Sequence, residues 1–226
     1  MAEDYSKAYY PVYLDLNGRL VVIVGGGKVA QRKAKTLAGY GADVVLIAPQ
    51  VTEELLQLEA DGLATVEQRG YVRGDLDGAF LAVCATDSEE INRAVYAEAE
   101  ERGCLVNVVD VPDLCSFIVP SIVRRGSLQI AISTGGAAPT VAKRLRKRFQ
   151  DEFGDEWADY VALMGAVRLL VMERVPGGEA DRKPIFERIA DSDVLDRLRA
   201  GETPSAEDVF AEFAGEPKEE AEDRSG

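Results

Sequence analysis

The sequence predicts an α/β protein built on a doubly wound parallel sheet, followed by a segment of different character and a small helical end. Short β-branched runs alternate with helical stretches through the first half of the chain. The connections are too long for hairpins, so neighbouring strands must be parallel and joined by crossover helices. The length of 226 residues lies above one typical domain and below two full ones, which fits one large domain with an appendage.

The elements follow in order. Leu20-Val-Val-Ile-Val24 is a continuous apolar run suited to a strand buried on both faces. Val29 to Tyr40 places Val29, Ala30, Ala34, Leu37 and Ala38 at helical spacing, and Gly41 ends that helix. Val44–Ala48 is the next strand, Glu53–Asp61 a short helix, Ala64–Gln68 a third strand and Phe80–Ala85 a fourth. Glu89 to Arg102 reads as a helix stopped by Gly103, and Leu105–Val109 as a fifth strand. Beyond Asp110 the pattern changes. Phe117–Val123 and Ser127–Ser133 are strand candidates around an Arg124-Arg-Gly126 turn, able to extend the sheet, although Pro120 argues for an edge or irregular strand. Helices are expected from Thr140 to Phe153, with Pro139 near the start, and from Glu156 to Arg174. The second carries Trp157, Tyr160, Val161, Met164, Val167 and Leu170 as its apolar face. Short helices are expected at Pro184–Ala190, Val194–Arg199 and Ser205–Phe213, and a polar, disordered tail from Glu216 to Gly226. Tyr5, Tyr9, Tyr10 and Tyr13 precede the first strand and are expected to pack.

Composition removes whole classes of chemistry. There is no His, which excludes Ser-His-Asp and Cys-His nucleophile systems and every His-dependent metal site. Acid–base work must fall to Asp, Glu, Lys, Tyr or Cys. Cys84, Cys104 and Cys115 lack C-x-x-C spacing, so neither a disulfide framework nor a structural zinc site is expected, and Cys84 reads as a small buried hydrophobe. No apolar run approaches a membrane span and no signal-peptide pattern opens the chain, so the expected location is cytoplasmic.

The net charge of −14 is unevenly distributed. Ser116 to Gln150 holds seven basic residues and no Asp or Glu, between two acidic flanks. An acidic chain is a poor general nucleic-acid binder; a confined basic block suits a small polyanion, or alternatively solvates one helix face.

Gly25-Gly-Gly-Lys-Val-Ala30 follows the first strand and opens the first helix, matching G-x-G-x-x-A. Gly25 serves a tight turn, Gly27 lets a pyrophosphate approach the backbone, and Ala30 permits close helix–strand packing. The helix N-terminus adds free N–H groups, with Lys28 and Val29 beside them. Its strand–turn–helix context favours the Rossmann dinucleotide fingerprint; the alternative is a Gly-rich turn that merely packs tightly. The second strand ends in Ala48-Pro49-Gln50, without the acid that normally holds the adenine ribose or a following Arg for a 2′-phosphate. NAD is therefore favoured over NADP, with backbone or Gln50 contacts in place of the carboxylate. Thr86 and Asp87, after the fourth strand, either face the cofactor crevice or cap the following helix. Asp110, after the fifth strand, is either a turn former or a carboxylate at the nicotinamide end of the crevice.

Five ordered blocks, Gly25–Ala34, Cys84–Asp87, Asn107–Asp110, Ser116–Val123 and Ile130–Pro139, resemble the precorrin-2 dehydrogenase/sirohydrochlorin ferrochelatase family, the dehydrogenase/chelatase module of siroheme synthase. The resemblance runs from about residue 10 to 150 and more loosely beyond. It implies NAD-dependent oxidation of precorrin-2 to sirohydrochlorin and, in many members, insertion of ferrous iron as a second substrate to give siroheme. Asp110 maps onto the family's acid–base residue, and cofactor contacts map onto the Gly25–Val29 turn and Pro49-Gln50. Ser133 and Thr134 occupy its Ser-Ser-Gly-Gly block, with Thr134 at the position of any modification. Arg124, Arg125, Lys143, Arg144 and Arg146 become the expected partners of a polycarboxylate tetrapyrrole. The implied organisation is a Rossmann domain over 1–113, a dimerisation and substrate segment over 114–150 that makes a homodimer, a helical domain over 151–215 and a tail over 216–226. Neither nucleic acid nor membrane is an expected partner. The alternatives are a dehydrogenase served by a separate chelatase and a regulatory module that senses NAD.

Overall fold

The computed structural model describes residues 8–214. The expected tail from Glu216 and Tyr5 lie outside the described residues. Two compact units divide the chain, one ending at Val119 and the other starting at Pro120.

The first unit carries a parallel sheet of β1 (Leu20–Val24), β2 (Asp43–Ile47), β3 (Thr65–Glu67), β4 (Leu81–Cys84) and β5 (Leu105–Val108). Strand order is β3-β2-β1-β4-β5, so the chain reverses its direction of winding between β1 and β4. In α/β sheets that reversal opens a ligand crevice at the carboxyl ends of the strands. Register runs from Val24 opposite Ile47 on one side to Val24 opposite Cys84 on the other.

Both faces of the sheet are covered, as continuous apolar strands demand. Helices α1 (Lys28–Ala38) and α2 (Glu53–Ala60) bury Ala30, Ala34, Leu55 and Leu58 with Val21, Ile23 and Leu46. On the opposite face α3 (Glu89–Arg102) sets Val95 and Ala99 against Val22, Val24 and Val106. Cys84 is wholly buried there, as expected, and burial pushes its thiol up to about 12. Burying an aliphatic side chain such as Leu46 contributes about 1.5–3 kcal/mol. Before β1, Tyr10 and Tyr13 are 86% and 67% exposed, contrary to the packing expected of them. No regular element holds that stretch, and only Leu16 in it enters the core.

After Asp110 the chain turns through a short 3₁₀ helix, Pro112–Leu114, and doubles back along β5. Cys115 bridges antiparallel to Asn107, the Ser116 amide donates to the Val106 carbonyl, and Asn107 Nδ2 donates to the Phe117 carbonyl. These bonds keep 114–119 with the first unit, so the unit boundary falls later than the expected residue 113.

In the second unit β6 (Ser121–Arg125) and β7 (Leu128–Ile132) form a separate antiparallel pair rather than an extension of the main sheet. Pro120 precedes β6 instead of interrupting it, which resolves the conflict between its missing N–H and strand pairing. Arg124 and Arg125 belong to the strand, and the tight turn is Gly126-Ser127. Helix α4 (Pro139–Glu152) covers one face of the pair, burying Ala142 against Val123 and Ile132. Helices α5 (Glu156–Arg174), α6 (Glu179–Ala190), α7 (Val194–Arg199) and α8 (Ala206–Phe213) close around Val167, Val171, Ile185, Ile189, Val194 and Val209. Helix α6 starts before the expected Pro184. The Gly178 amide donates to Asp181 Oδ2 at 2.8 Å, fixing an earlier start that absorbs the proline into the helix.

Candidate functional site

The site starts from the turn between β1 and α1. Gly25 has φ +128°, and a Cβ there would stand 2.3 Å from the Ala85 carbonyl oxygen. At Gly26 a Cβ would stand 1.9 Å from the Gln50 carbonyl oxygen and 2.9 Å from the Ala48 Cβ. Both glycines are wedged between the chain segments that follow β2 and β4. Gly27 differs: a Cβ there would meet nothing within 4 Å. Gly27 heads α1 without a side-chain cap, and no acid occupies the first helical turn. The leading N–H groups and the positive end of the helix therefore remain available to an anion. Ala30 is fully buried, as close helix–strand contact requires.

A cleft of about 470 Å³ opens in front of this turn. All the expected cofactor contacts line it: Gly25, Gly27, Lys28, Val29, Pro49, Gln50, Thr86 and Asp87. Gly70, Tyr71 and Ile91 also line it, although no motif in the sequence marks them. The third glycine, Gly26, lines it as well, at a position the fingerprint leaves free. A run of three glycines where the motif requires two is the signal that could have found it. Thr86 and Asp87 do not cap α3. That role falls to Ser88, whose Oγ accepts from the Ile91 amide at 3.3 Å.

These residues fit a dinucleotide. The open side of Gly27 and the uncapped helix suit a pyrophosphate, while Ala48-Pro49-Gln50 after β2 offers the adenine ribose no carboxylate. Arg69, after β3, is engaged by Glu67 and, in two-donor fashion at 2.8 Å, by Asp75. These hydrogen bonds with Asp75 and Glu67 hold its guanidinium above the ordinary arginine range. It is thus not presented as a loose cation for a 2′-phosphate.

Asp110 lies outside the residues lining the cleft but at the same sheet edge. Cys84 pairs with Val108, and two residues further along each strand come Thr86 and Asp110. Asp110 is exposed, with φ +60°, and no other residue except glycine has positive φ among the described residues.

The expected substrate contacts lie in the second unit and separate into distinct groups. Lys143 and Arg144 are exposed on α4, joined at helical spacing by Lys147 and Arg148, which the expected set omitted. Arg146 is half-buried and donates to Gln150 Oε1 at 3.0 Å. Arg124 projects from the hairpin face opposite Val123, away from the side that α4 covers. Arg125 also has partners within the fold. Its Nε donates to the Phe153 carbonyl at 2.8 Å and its Nη2 to the Gln150 carbonyl at 3.0 Å, so it ties the strand to the end of α4. Ser133 Oγ accepts from the Gly135 amide and Thr134 Oγ1 from the Ala138 amide, shaping the loop into α4. Among the described residues no cluster of three or more Cys, Asp or Glu could hold a metal.

Fold and cleft together define a Rossmann-type NAD(P)-binding protein. An NAD(P)-binding family model matches residues 12–121, and a model described as sirohaem biosynthesis protein central matches residues 125–152. The siroheme synthase of Azotobacter vinelandii is 38% identical over 208 residues, covering 92% of this chain and 45% of that protein. That of Pseudomonas aeruginosa strain LESB58 is 37% identical over 204 residues, covering 90% and 44%. A solved structure of SirC, a precorrin-2 dehydrogenase, is similar with a TM-score of 0.73 and 27% identity, covering 91% of this chain and 99% of that one. The chain belongs to the precorrin-2 dehydrogenase/sirohydrochlorin ferrochelatase family. It spans less than half the length of the siroheme synthases it matches. No helix among the described residues is long and apolar enough to cross a membrane.

Proposed function

We propose that this chain oxidises precorrin-2 to sirohydrochlorin with NAD, in siroheme biosynthesis. The observation that carries the reading is Asp110, an exposed carboxylate held at φ +60° on the sheet edge that also bears the dinucleotide cleft. A non-glycine residue in that backbone region is uncommon, and such outliers gather at functional sites.

Bound NAD supplies the hydride acceptor. Dehydrogenation also releases a proton from the substrate, and in a chain without His a carboxylate at the cleft's sheet edge is suited to take it. Asp110 does so, delivering the proton to solvent from its exposed position. The cations of α4, Lys143 and Arg144 foremost, attract the carboxylates of the tetrapyrrole, with Arg124, Arg146, Ser133 and Thr134 as further contacts. Helix α1 holds the pyrophosphate at its first turn, Lys28 and Val29 flank it, and Pro49, Gln50, Thr86 and Asp87 border the rest of the dinucleotide. Stoichiometric NADH formation on adding precorrin-2 tests the reading, and binding of NAD without turnover sinks it in favour of a sensing module.

The chain is proposed to act as a homodimer through its second unit. Two features support this. The β6–β7 pair is covered by α4 on one face and has no further strand neighbours among the described residues, which leaves its strand edges open to a second copy. Helix α5 also exposes Ala162, Gly165, Ala166, Leu169 and Met172 along one side. Insertion of ferrous iron into the product, as substrate, is a separable activity. Incubating the protein with sirohydrochlorin and ferrous iron, and following absorbance against a protein-free control, tests it.

A further inference from the structure

Among the described residues two polar side chains are buried, Asn92 and Glu98 at 7% and 0% exposure, and both stand on α3. Each organises a segment that borders the cleft. Asn92 holds the turn after β4: its Oδ1 accepts from Thr86 Oγ1 at 2.9 Å and its Nδ2 donates to the Thr86 carbonyl at 3.3 Å. Glu98 holds the irregular segment between β3 and β4. Its carboxylate accepts from the Tyr71 hydroxyl, from the Gly74 amide at 3.0 Å, from the Leu76 amide at 3.3 Å and from Arg102 Nε at 2.7 Å. Arg102 in turn pairs with Asp77, closing the far end of the same segment.

A fully buried carboxylate is costly unless its hydrogen bonds are met, and an apolar residue would fill the same volume without that cost. What Glu98 provides and an apolar residue cannot is a fixed position for several donors on one loop. That loop places Gly70 and Tyr71 on the wall of the cleft. It follows β3, next to β2, and so belongs to the adenosine half of a Rossmann site, away from the hydride-transfer end.

We propose that Glu98 is a positioning residue for the dinucleotide: it fixes Tyr71 and the 70–76 segment as a preformed wall of the adenosine subsite. The proposal rests on the cofactor reading of the cleft given above. Its energetic content is preorganisation. A wall that is ordered only part of the time weakens apparent binding by that fraction and leaves the bound complex unchanged.

Titrating NADH by fluorescence, with no tetrapyrrole present, tests this in the wild-type chain and in Tyr71→Phe and Glu98→Gln. Tyr71→Phe keeps the ring and removes one hydrogen bond, so its fold is secure even if Glu98→Gln fails to fold. The expected result is a rise in Kd of about fivefold for Tyr71→Phe and about tenfold or more for Glu98→Gln. Amide exchange at Gly74 and Leu76 should quicken in both. In turnover, KM for NAD should rise while kcat at saturating NAD stays within about twofold of wild type. A lowered melting temperature with an unchanged Kd for NADH overturns the proposal, leaving Glu98 a core residue only. Failure of the wild-type chain to bind NADH overturns the cofactor reading itself, which is a different result.

Discussion

The carbonyl oxygen of Gln50 stands 1.9 Å from the point a Cβ would occupy on Gly26. The neighbouring Gly27 has open space at the same position. Two adjacent glycines in one turn thus have separable roles. Gly26→Ala must push backbone apart and should destabilise the fold by about 1–3 kcal/mol. Gly27 has φ −87°, which any residue adopts, so Gly27→Ala should cost the fold only the poorer helix cap, less than about 1 kcal/mol. Its added methyl enters the pyrophosphate path, and NADH affinity should fall by at least about tenfold. Calorimetry and NADH titration on both variants distinguish the two effects.

Asp110→Asn keeps a side chain that tolerates left-handed backbone. Melting temperature and NADH affinity should match wild type, while oxidation of precorrin-2 drops by about a hundredfold or more through loss of the base. Near-normal turnover would remove Asp110 from the chemistry.

Acid should loosen the loop that carries Tyr71. Burial raises the Glu98 pKa, but the Tyr71 hydroxyl, the Gly74 amide, Arg102 and the Leu76 amide outweigh it and hold the carboxyl below its ordinary value. A depressed folded-state pKa contributes stability that is complete above the unfolded value, near 4.5, and is lost as pH falls through the folded value beneath it. Asp75, lowered by Arg69 and the Val72 amide against its own burial, acts in the same direction. Denaturant midpoints should therefore fall on going below about pH 4.5, and Glu98→Gln should flatten that limb while lowering the neutral plateau.

Lys143→Gln and Arg144→Gln, on the exposed face of α4, should raise KM for the tetrapyrrole by about threefold each at low salt. The difference should shrink above about 0.3 M salt as screening shortens below 10 Å. Affinity for NADH should not change, and if it does, the α4 cations serve the cofactor rather than the tetrapyrrole.

The sheet and the glycine turn were legible because local signals carry them. Val21 to Val24 are apolar on both faces, and Gly25, Gly27 and Ala30 sit at fixed offsets from the strand end. Asp110 was legible from its place after β5, although nothing in sequence announces its positive φ. The Tyr71–Glu98 contact was hidden because it joins an irregular loop to a helix across 27 positions of chain. On α3, Glu98 reads as one more surface acid in Glu98-Ala-Glu-Glu101, and only its neighbours Val95 and Ala99 show that it shares the buried side. Arg125 hides its ties to the fold for the opposite reason. It looks like Arg124 in sequence, yet strand alternation turns it towards the carbonyls that end α4.

Helix α1 begins with no side-chain cap and no acid in its first turn, which leaves its leading N–H groups open to an anion from outside the polypeptide. A chain arranged in this way links its own persistence to its ligand. At a hundredfold excess over Kd, a bound dinucleotide adds about 2.7 kcal/mol to the folded state. Where degradation proceeds through transient opening, that gain reduces the exposed population by the same factor of about a hundred. Nicotinamide supply would then set how long each copy survives proteolysis as well as how fast it works.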